Sequence, residues 1–170
     1  AEDITLDVGA NAIVDVTVVP NGLDVTYVPD NSGVVTIENG VVTAVKEGTA
    51  KITLTVGGDG VYALNSTIIT VTVNKIDTSI DVDQSSLDLE VGDDSSISAT
   101  LTPADAGNVT FISSDNKVVT VDDKGNVKAV GEGKANIIVS FAGDDKYNAA
   151  ENKTVTVTVS LKDASVSAED

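Results

Sequence analysis

The same pattern is written twice in this chain. Ile4-Thr5-Leu6-Asp7-Val8-Gly9 recurs as Leu87-Asp88-Leu89-Glu90-Val91-Gly92, and Val25-Thr26-Tyr27 recurs as Val109-Thr110-Phe111. Thr43-Ala44-Val45 recurs as Lys128-Ala129-Val130, and Ile69-Thr70-Val71-Thr72-Val73 as Val155-Thr156-Val157-Thr158-Val159. The offset grows along the chain: Ile4 to Leu87 is 83, Val25 to Val109 is 84, Thr43 to Lys128 is 85 and Ile69 to Val155 is 86. Each increment falls between apolar runs, where an inserted residue costs little because it lengthens a surface loop. A repeat of this length is one domain, so 170 residues are expected to fold as two homologous units. The expected boundaries are 1–75 and 76–162, with 163–170 as a tail. Asp163-Ala164-Ser165-Val166 echoes Asp77-Thr78-Ser79-Ile80, so that tail reads as the start of a third repeat.

Within each copy the apolar residues alternate with polar ones. Thr49-Ala50-Lys51-Ile52-Thr53-Leu54-Thr55-Val56 and Asn152-Lys153-Thr154-Val155-Thr156-Val157-Thr158-Val159 put Val, Ile and Leu on one face and mostly Thr or charge on the other. Period-two alternation of β-branched residues suits a half-buried strand, and no stretch has helical spacing. The strands expected in the first copy are 3–8, 13–19, 24–28, 34–37, 41–45, 49–56 and 67–73. In the second they are 86–91, 95–102, 108–113, 117–121, 126–130, 134–141 and 153–160. Asn39-Gly40 predicts a type I′ hairpin, because both residues tolerate positive φ. Asp123-Lys124-Gly125 is the longer equivalent. Seven short strands in about 85 residues suggest a sandwich of immunoglobulin type. The fold class is therefore all-β: two tandem immunoglobulin-like antiparallel β-sandwiches of about seven strands each, arranged head to tail.

Composition removes most chemistries. There is no Cys, His, Met or Trp, so disulfides, thiol nucleophiles, a Ser-His-Asp triad and imidazole or thiolate metal sites cannot be built. The net charge of −17, from 10 Lys and 27 acidic residues, opposes nucleic acid and anionic membrane as partners. No apolar run is long enough to insert in a bilayer. The first residues, from Ala1, do not read as a signal peptide, so a signal and an anchor are expected outside this stretch.

One block resembles a known family. Ile112-Ser113-Ser114-Asp115-Asn116-Lys117-Val118-Val119-Thr120-Val121, followed by Gly125-Asn126-Val127-Lys128-Ala129-Val130-Gly131-Glu132-Gly133-Lys134-Ala135, is similar to the bacterial Ig-like group 2 repeat. Val119 stands where the family usually has Ala, and the first copy reads Val28-Pro29-Asp30 in place of the Ser-Ser pair. The Gly143-Asp144-Asp145-Lys146-Tyr147-Asn148-Ala149 loop and the Val73-Asn74-Lys75-Ile76-Asp77 junction resemble repeat arrays of adhesin-like cell-surface proteins of bacteria and methanogenic archaea. The resemblance implies an extracellular, cell-surface setting. It also implies neighbouring Ig-like repeats of the parent chain as partners, and a role in spacing and presentation for cell adhesion. The competing expectation is that these domains themselves bind a surface protein or glycan of another cell. No catalytic residues are expected.

Acidic loops supply the candidate site. With strands alternating in direction, Asp105, Asp122, Asp123, Asp144 and Asp145 are expected at one end of the second domain, beside Asp77 in a linker that carries Ile76 and Ile80. Converging carboxylates offer the oxygen ligands that calcium takes. Asp also simply favours turns, and Lys124 and Lys146 lie in the same loops. No cofactor is expected to be required, and calcium is the one these carboxylates suggest. Tyr62 and Tyr147 occupy equivalent loops, where a ring packs on the core or stacks on a sugar. Tyr27 and Phe111 are expected in the core. Sequons at Asn65, Asn108 and Asn152 permit glycosylation, and Lys153 is the lysine best placed for an intramolecular cross-link.

Overall fold

The computed structural model describes residues 1–168. The chain divides into two compact units, Ala1–Ile76 with Asp144–Asn148, and Asp77–Gly143 with the chain from Ala149 onward. Residues 163–168 of the expected tail form no regular element, and 169 and 170 lie outside the described residues.

The first unit has seven strands: β1 (Ile4–Asp7), β2 (Asn11–Ile13), β3 (Thr26–Pro29), β4 (Val35–Glu38), β5 (Val41–Ala44), β6 (Gly48–Val56) and β7 (Asn65–Asn74). They form two sheets, ordered β1-β7-β6-β3 and β2-β5-β4. The alternation in the sequence becomes a buried face. Ala50, Ile52 and Leu54 of β6 and Ile69, Val71 and Val73 of β7 meet Val35, Val42 and Ala44 of the other sheet in one core, with Tyr27 packed at its margin. Each buried Val, Ile or Leu contributes roughly 1.5–3 kcal/mol.

The second unit has nine strands: β8 (Ser79–Val82), β9 (Ser86–Glu90), β10 (Asp94–Ser96), β11 (Ala99–Thr102), β12 (Thr110–Ser113), β13 (Val119–Val121), β14 (Asn126–Ala129), β15 (Gly133–Ser140) and β16 (Lys153–Ser160). The sheets are ordered β9-β16-β15-β12, β10-β14-β13 and β11-β8. Val119, Val127 and Ala129 face Ala135, Ile137, Val155, Val157 and Val159, with Phe111 at the margin. The fold is all-β, as the alternation implies. Tyr27 and Phe111 take the same place in the two cores.

Three details differ from the sequence-based expectation. First, the pairing is antiparallel except between the first and last long strands of each unit, where β1 runs parallel to β7 and β9 parallel to β16. Second, Ile80 does not lie in a linker. It is the buried residue of β8, 1% exposed, and β8 pairs antiparallel with β11. Third, the second strand of each copy is not continuous. The stretch 95–102 divides into β10, which joins β14, and β11, which joins β8. In the first unit only Asn11–Ile13 of that region forms a strand, paired with β5. Residues 14–19 follow without one.

The turns carry the register. Asn39 and Gly40 both have positive φ, 50° and 77°, the geometry of a type I′ hairpin. The longer equivalent ends on Gly125, with φ of 85°. Ile97 donates its N–H to the Gly125 carbonyl at 2.8 Å. A Cβ on Gly125 would collide with the Ile97 carbonyl oxygen and press within 3.1 Å of the Phe111 ring. Gly22 shares a positive φ, 94°, but has open space around it. Gly22→Ala should therefore cost only the left-handed backbone, about 1 kcal/mol. Gly125→Ala should cost about 3 kcal/mol or more, because the β10–β14 ladder must part. Urea denaturation of the two variants checks this, and equal losses would contradict it.

Candidate functional site

The acidic loops resolve into turns built by their own carboxylates. Asp122 Oδ1 accepts the backbone N–H of Lys124 at 2.9 Å and of Asn126 at 2.8 Å, and its Oδ2 accepts the Asn126 side-chain amide at 2.8 Å. Asp144 Oδ1 accepts the N–H groups of Lys146 and Tyr147, both at 2.8 Å. Asp59, at the equivalent place in the first copy, accepts those of Val61 at 2.9 Å and Tyr62 at 2.8 Å. These bonds favour the ionised form. The Asn126 amide, then its N–H, holds the Asp122 carboxyl below its ordinary value of 3.8. The Tyr147 N–H does the same for Asp144, and the Tyr62 N–H for Asp59. Asp77 begins the second unit ahead of β8, Asp105 lies in the short 3-10 turn Ala104–Ala106, Asp123 follows Asp122 in the hairpin, and Asp145 follows Asp144 in its loop. Asp105, Asp123 and Asp145 are solvent-exposed. Among the described residues, no group of three or more acidic side chains is placed to hold a metal ion. Asp122 and Asp144 form turns here, accepting from peptide N–H groups and, at Asp122, from the Asn126 side-chain amide.

The Ser-Ser-Asp block has a comparable local job. Ser113 Oγ donates to the Val119 carbonyl at 2.7 Å, and Ser114 Oγ accepts the Asn136 N–H at 2.8 Å. Asp115 Oδ1 accepts the Lys117 N–H at 2.9 Å. In the first copy Asp30 Oδ1 accepts the Lys51 N–H at 2.8 Å, at the position of Ser114, and Asn31 Oδ1 accepts the Gly33 N–H at 3.1 Å, near that of Asp115. The departure at Val28-Pro29-Asp30 thus keeps the hydrogen bond while changing the side chain. Sequence reading notes the departure but not its equivalence, which needs the register of β3 against β6.

The two tyrosines differ. Tyr147 is buried, with Lys146 Nζ 5.4 Å from its ring centroid and Ile76 bridged to it in parallel. Tyr62 is 43% exposed, so the expectation of a core-packed ring fails there. Its backbone, not its ring, is what the loop holds. Lys153 opens β16 opposite Val139, and Asn65, Asn108 and Asn152 are exposed.

No polar or charged residue is buried among the described residues, and the three carboxyls that shift all shift downward. A general acid at neutral pH needs the opposite shift. No helix among the described residues is long and apolar enough to cross a membrane.

The lowered carboxyls set the acid response. A folded-state pKa below the unfolded value contributes stability that is present above the unfolded value and lost as pH falls through the folded one. Stability should fall as pH drops through and below 3.8. Asp122→Asn with Asp144→Asn should flatten that acid limb. Denaturant titrations at stepped pH read the change, and an unaltered slope would argue against these two turns.

Comparison with known proteins places this geometry. Residues 76–146 match the model of the bacterial Ig-like domain (group 2). An uncharacterised protein of Clostridium acetobutylicum is 37% identical over 123 residues, covering 71% of this chain. The chain spans 12% of that relative's length. Among solved structures, titin domains Z1Z2 in complex with telethonin superpose with a TM-score of 0.51 at 13% identity, covering 95% of this chain and 94% of that one. The S-layer protein rSbsC gives a TM-score of 0.45 at 23% identity, covering 81% of this chain and 20% of that one. The likeness to titin supports the immunoglobulin-like fold alone. Residues 76–146, which include the Ser113-Ser114-Asp115 loop, are thus similar to the bacterial Ig-like domain (group 2).

Proposed function

We propose that the chain is a non-catalytic structural repeat of an extracellular, adhesin-like cell-surface protein, extending and presenting a distal adhesive region. The observation that carries this is the parallel pairing of terminal strands. In β1–β7 the partners run from Ile4 and Val71 to Asp7 and Asn74, and in β9–β16 from Ser86 and Thr156 to Glu90 and Ser160. In the first unit β1 and β7 are the first and last strands, so the chain enters at one end and leaves at the other; in the second, β9, which follows β8, repeats the arrangement with β16. Tension applied through the chain then loads all the ladder hydrogen bonds in shear, together, rather than one after another. Such a unit tolerates pulling, as a spacer between a cell wall and an attachment point must. The acidic, Thr-rich outer faces suit exposure to water, and no bound ion is required for this role.

A binding role for the domains themselves is favoured by one observation. Val28 and Ile112, at equivalent positions on β3 and β12, are 55% and 58% exposed, and Ile112 stands beside Ile138. An apolar position left open in both copies is a contact point for a protein or glycan surface.

Single-molecule force spectroscopy through the two ends distinguishes the roles. As a spacer, the chain should unfold in two high-force events, each releasing about 25 nm, with or without EDTA. Hairpin-like peeling at low force would remove the basis of this function. Val28→Asp with Ile112→Asp should leave both events unchanged. In the binding role the same pair would instead abolish retention on a target-coated surface.

A further inference from the structure

The chain contains the dipeptide Asn-Gly twice, at Asn21-Gly22 and at Asn39-Gly40. Asparagine before glycine is chemically labile in water, because no side chain shields the glycine nitrogen from the asparagine amide carbon beside it. The two sites share a dipeptide and differ in structure.

Asn39 and Gly40 are the central pair of the β4–β5 hairpin. Their flanks, Glu38 and Val41, are paired in the ladder, and their φ values are 50° and 77°. The Gly40 carbonyl accepts the Val14 N–H at 2.8 Å. Gly40 is buried, and a Cβ added to it would stand 3.2 Å from Tyr27 Oη. For the Gly40 nitrogen to reach Asn39 Cγ, the peptide plane between them has to turn, and that plane is the link between the two strands. Ring closure there needs the hairpin to open first.

The other pair is not held this way. Val19, Pro20, Asn21 and Gly22 are all exposed and lie outside the strands. Among the described residues, neither Asn21 nor Gly22 takes part in a hydrogen bond, and a Cβ on Gly22 would meet nothing within 4 Å. The counterpart loop of the second unit is open too, with Ala104, Asp105, Gly107 and Asn108 exposed. The exposure thus belongs to the loop in both units.

We infer that Asn21 is a self-modifying site, converting without an enzyme to aspartate and isoaspartate, while the hairpin preserves Asn39 in the same dipeptide. The Gly22 nitrogen attacks Asn21 Cγ and gives its proton to a base in solution. The Cγ–Nδ2 bond breaks, and the nitrogen takes a proton from water and leaves as ammonia. Water then opens the five-membered imide. Breaking the side-chain bond to the Gly22 nitrogen gives aspartate, and breaking the main-chain bond gives isoaspartate. One water is consumed and one ammonia released, with no change of oxidation state. Each event adds one negative charge at neutral pH. Isoaspartate also routes the main chain through Cβ, which a loop outside the sheets absorbs and a paired hairpin would not. The inference goes beyond the spacer role and does not depend on it.

The test incubates the whole folded chain at mildly alkaline pH, and a second sample in urea. Digestion before aspartate separates Asp15–Leu23, with Asn21, from Asp30–Gly58, with Asn39, and tandem mass spectrometry locates the product. In the folded chain Asn21 should convert about tenfold faster than Asn39 or more, because only Asn39 waits on a local opening. In urea the two should convert at similar rates, since the hairpin is gone. Gly22→Ala should slow conversion of Asn21 in both samples by placing a methyl beside the attacking nitrogen, and Asn21→Gln should yield no product there. Equal rates in the folded chain, an unchanged Asn21 in the time the urea sample converts, or a ratio that urea does not alter would each overturn the proposal. The last of these is what the local sequence, Pro20 against Glu38, would give without the fold.

Discussion

Everything in each unit is referred to one ladder. In the first it is β6 against β7, nine paired residues from Gly48 with Val73 to Val56 with Asn65. In the second it is β15 against β16, from Gly133 with Val159 to Val139 with Lys153. These strands put Ala50, Ile52 and Leu54 opposite Val71, Ile69 and Thr67, and Ala135 and Ile137 opposite Val157 and Val155. A slip of one residue would turn that apolar set to solvent and bring Thr and Lys inward. The three shorter sheets and the parallel pairs β1–β7 and β9–β16 take their positions from this register. The glycines at its mouth, Gly48 and Gly133, have φ of 147° and 143°, and an added Cβ would press on Val34 and Val118 respectively.

What the residues disclose in advance is whatever is local or repeated. The alternation in 49–56 and 152–159 identifies the long strands, Asn39-Gly40 identifies its hairpin, and the recurrence of Val25-Thr26-Tyr27 as Val109-Thr110-Phe111 places two aromatic side chains at their cores. What stays hidden depends on pairing between distant segments. Ser79-Ile80-Asp81-Val82 alternates as a strand should, yet its length is that of a linker, and only the presence of β11 decides the matter. That β1 lies beside β7 is likewise invisible, although seven strands alternating in direction already make the two run the same way.

The acidic residues teach a similar lesson. Their number suggests a field awaiting a cation, but Asp30, Asp59, Asp115, Asp122 and Asp144 each accept peptide N–H groups. A carboxylate engaged in this way organises its own loop. The ion pair of Lys75 with Glu47, at 3.8 Å and partly exposed, contributes little for the usual reasons of screening and side-chain entropy. Apolar burial holds these units together, and charge shapes their loops and solubility.

The short strand β8 that precedes β9 in the second unit has a mechanical corollary. β8 rests on four residues and one buried isoleucine, whereas β9 is knitted to β16 and the main sheet. The short piece can lift away and re-dock while the rest of the sandwich stays whole, a local opening of the kind that exchange experiments detect as a separate low-energy unit. Parting β8 leaves the β9–β16 ladder, and the core behind it, in place to bear load as one piece.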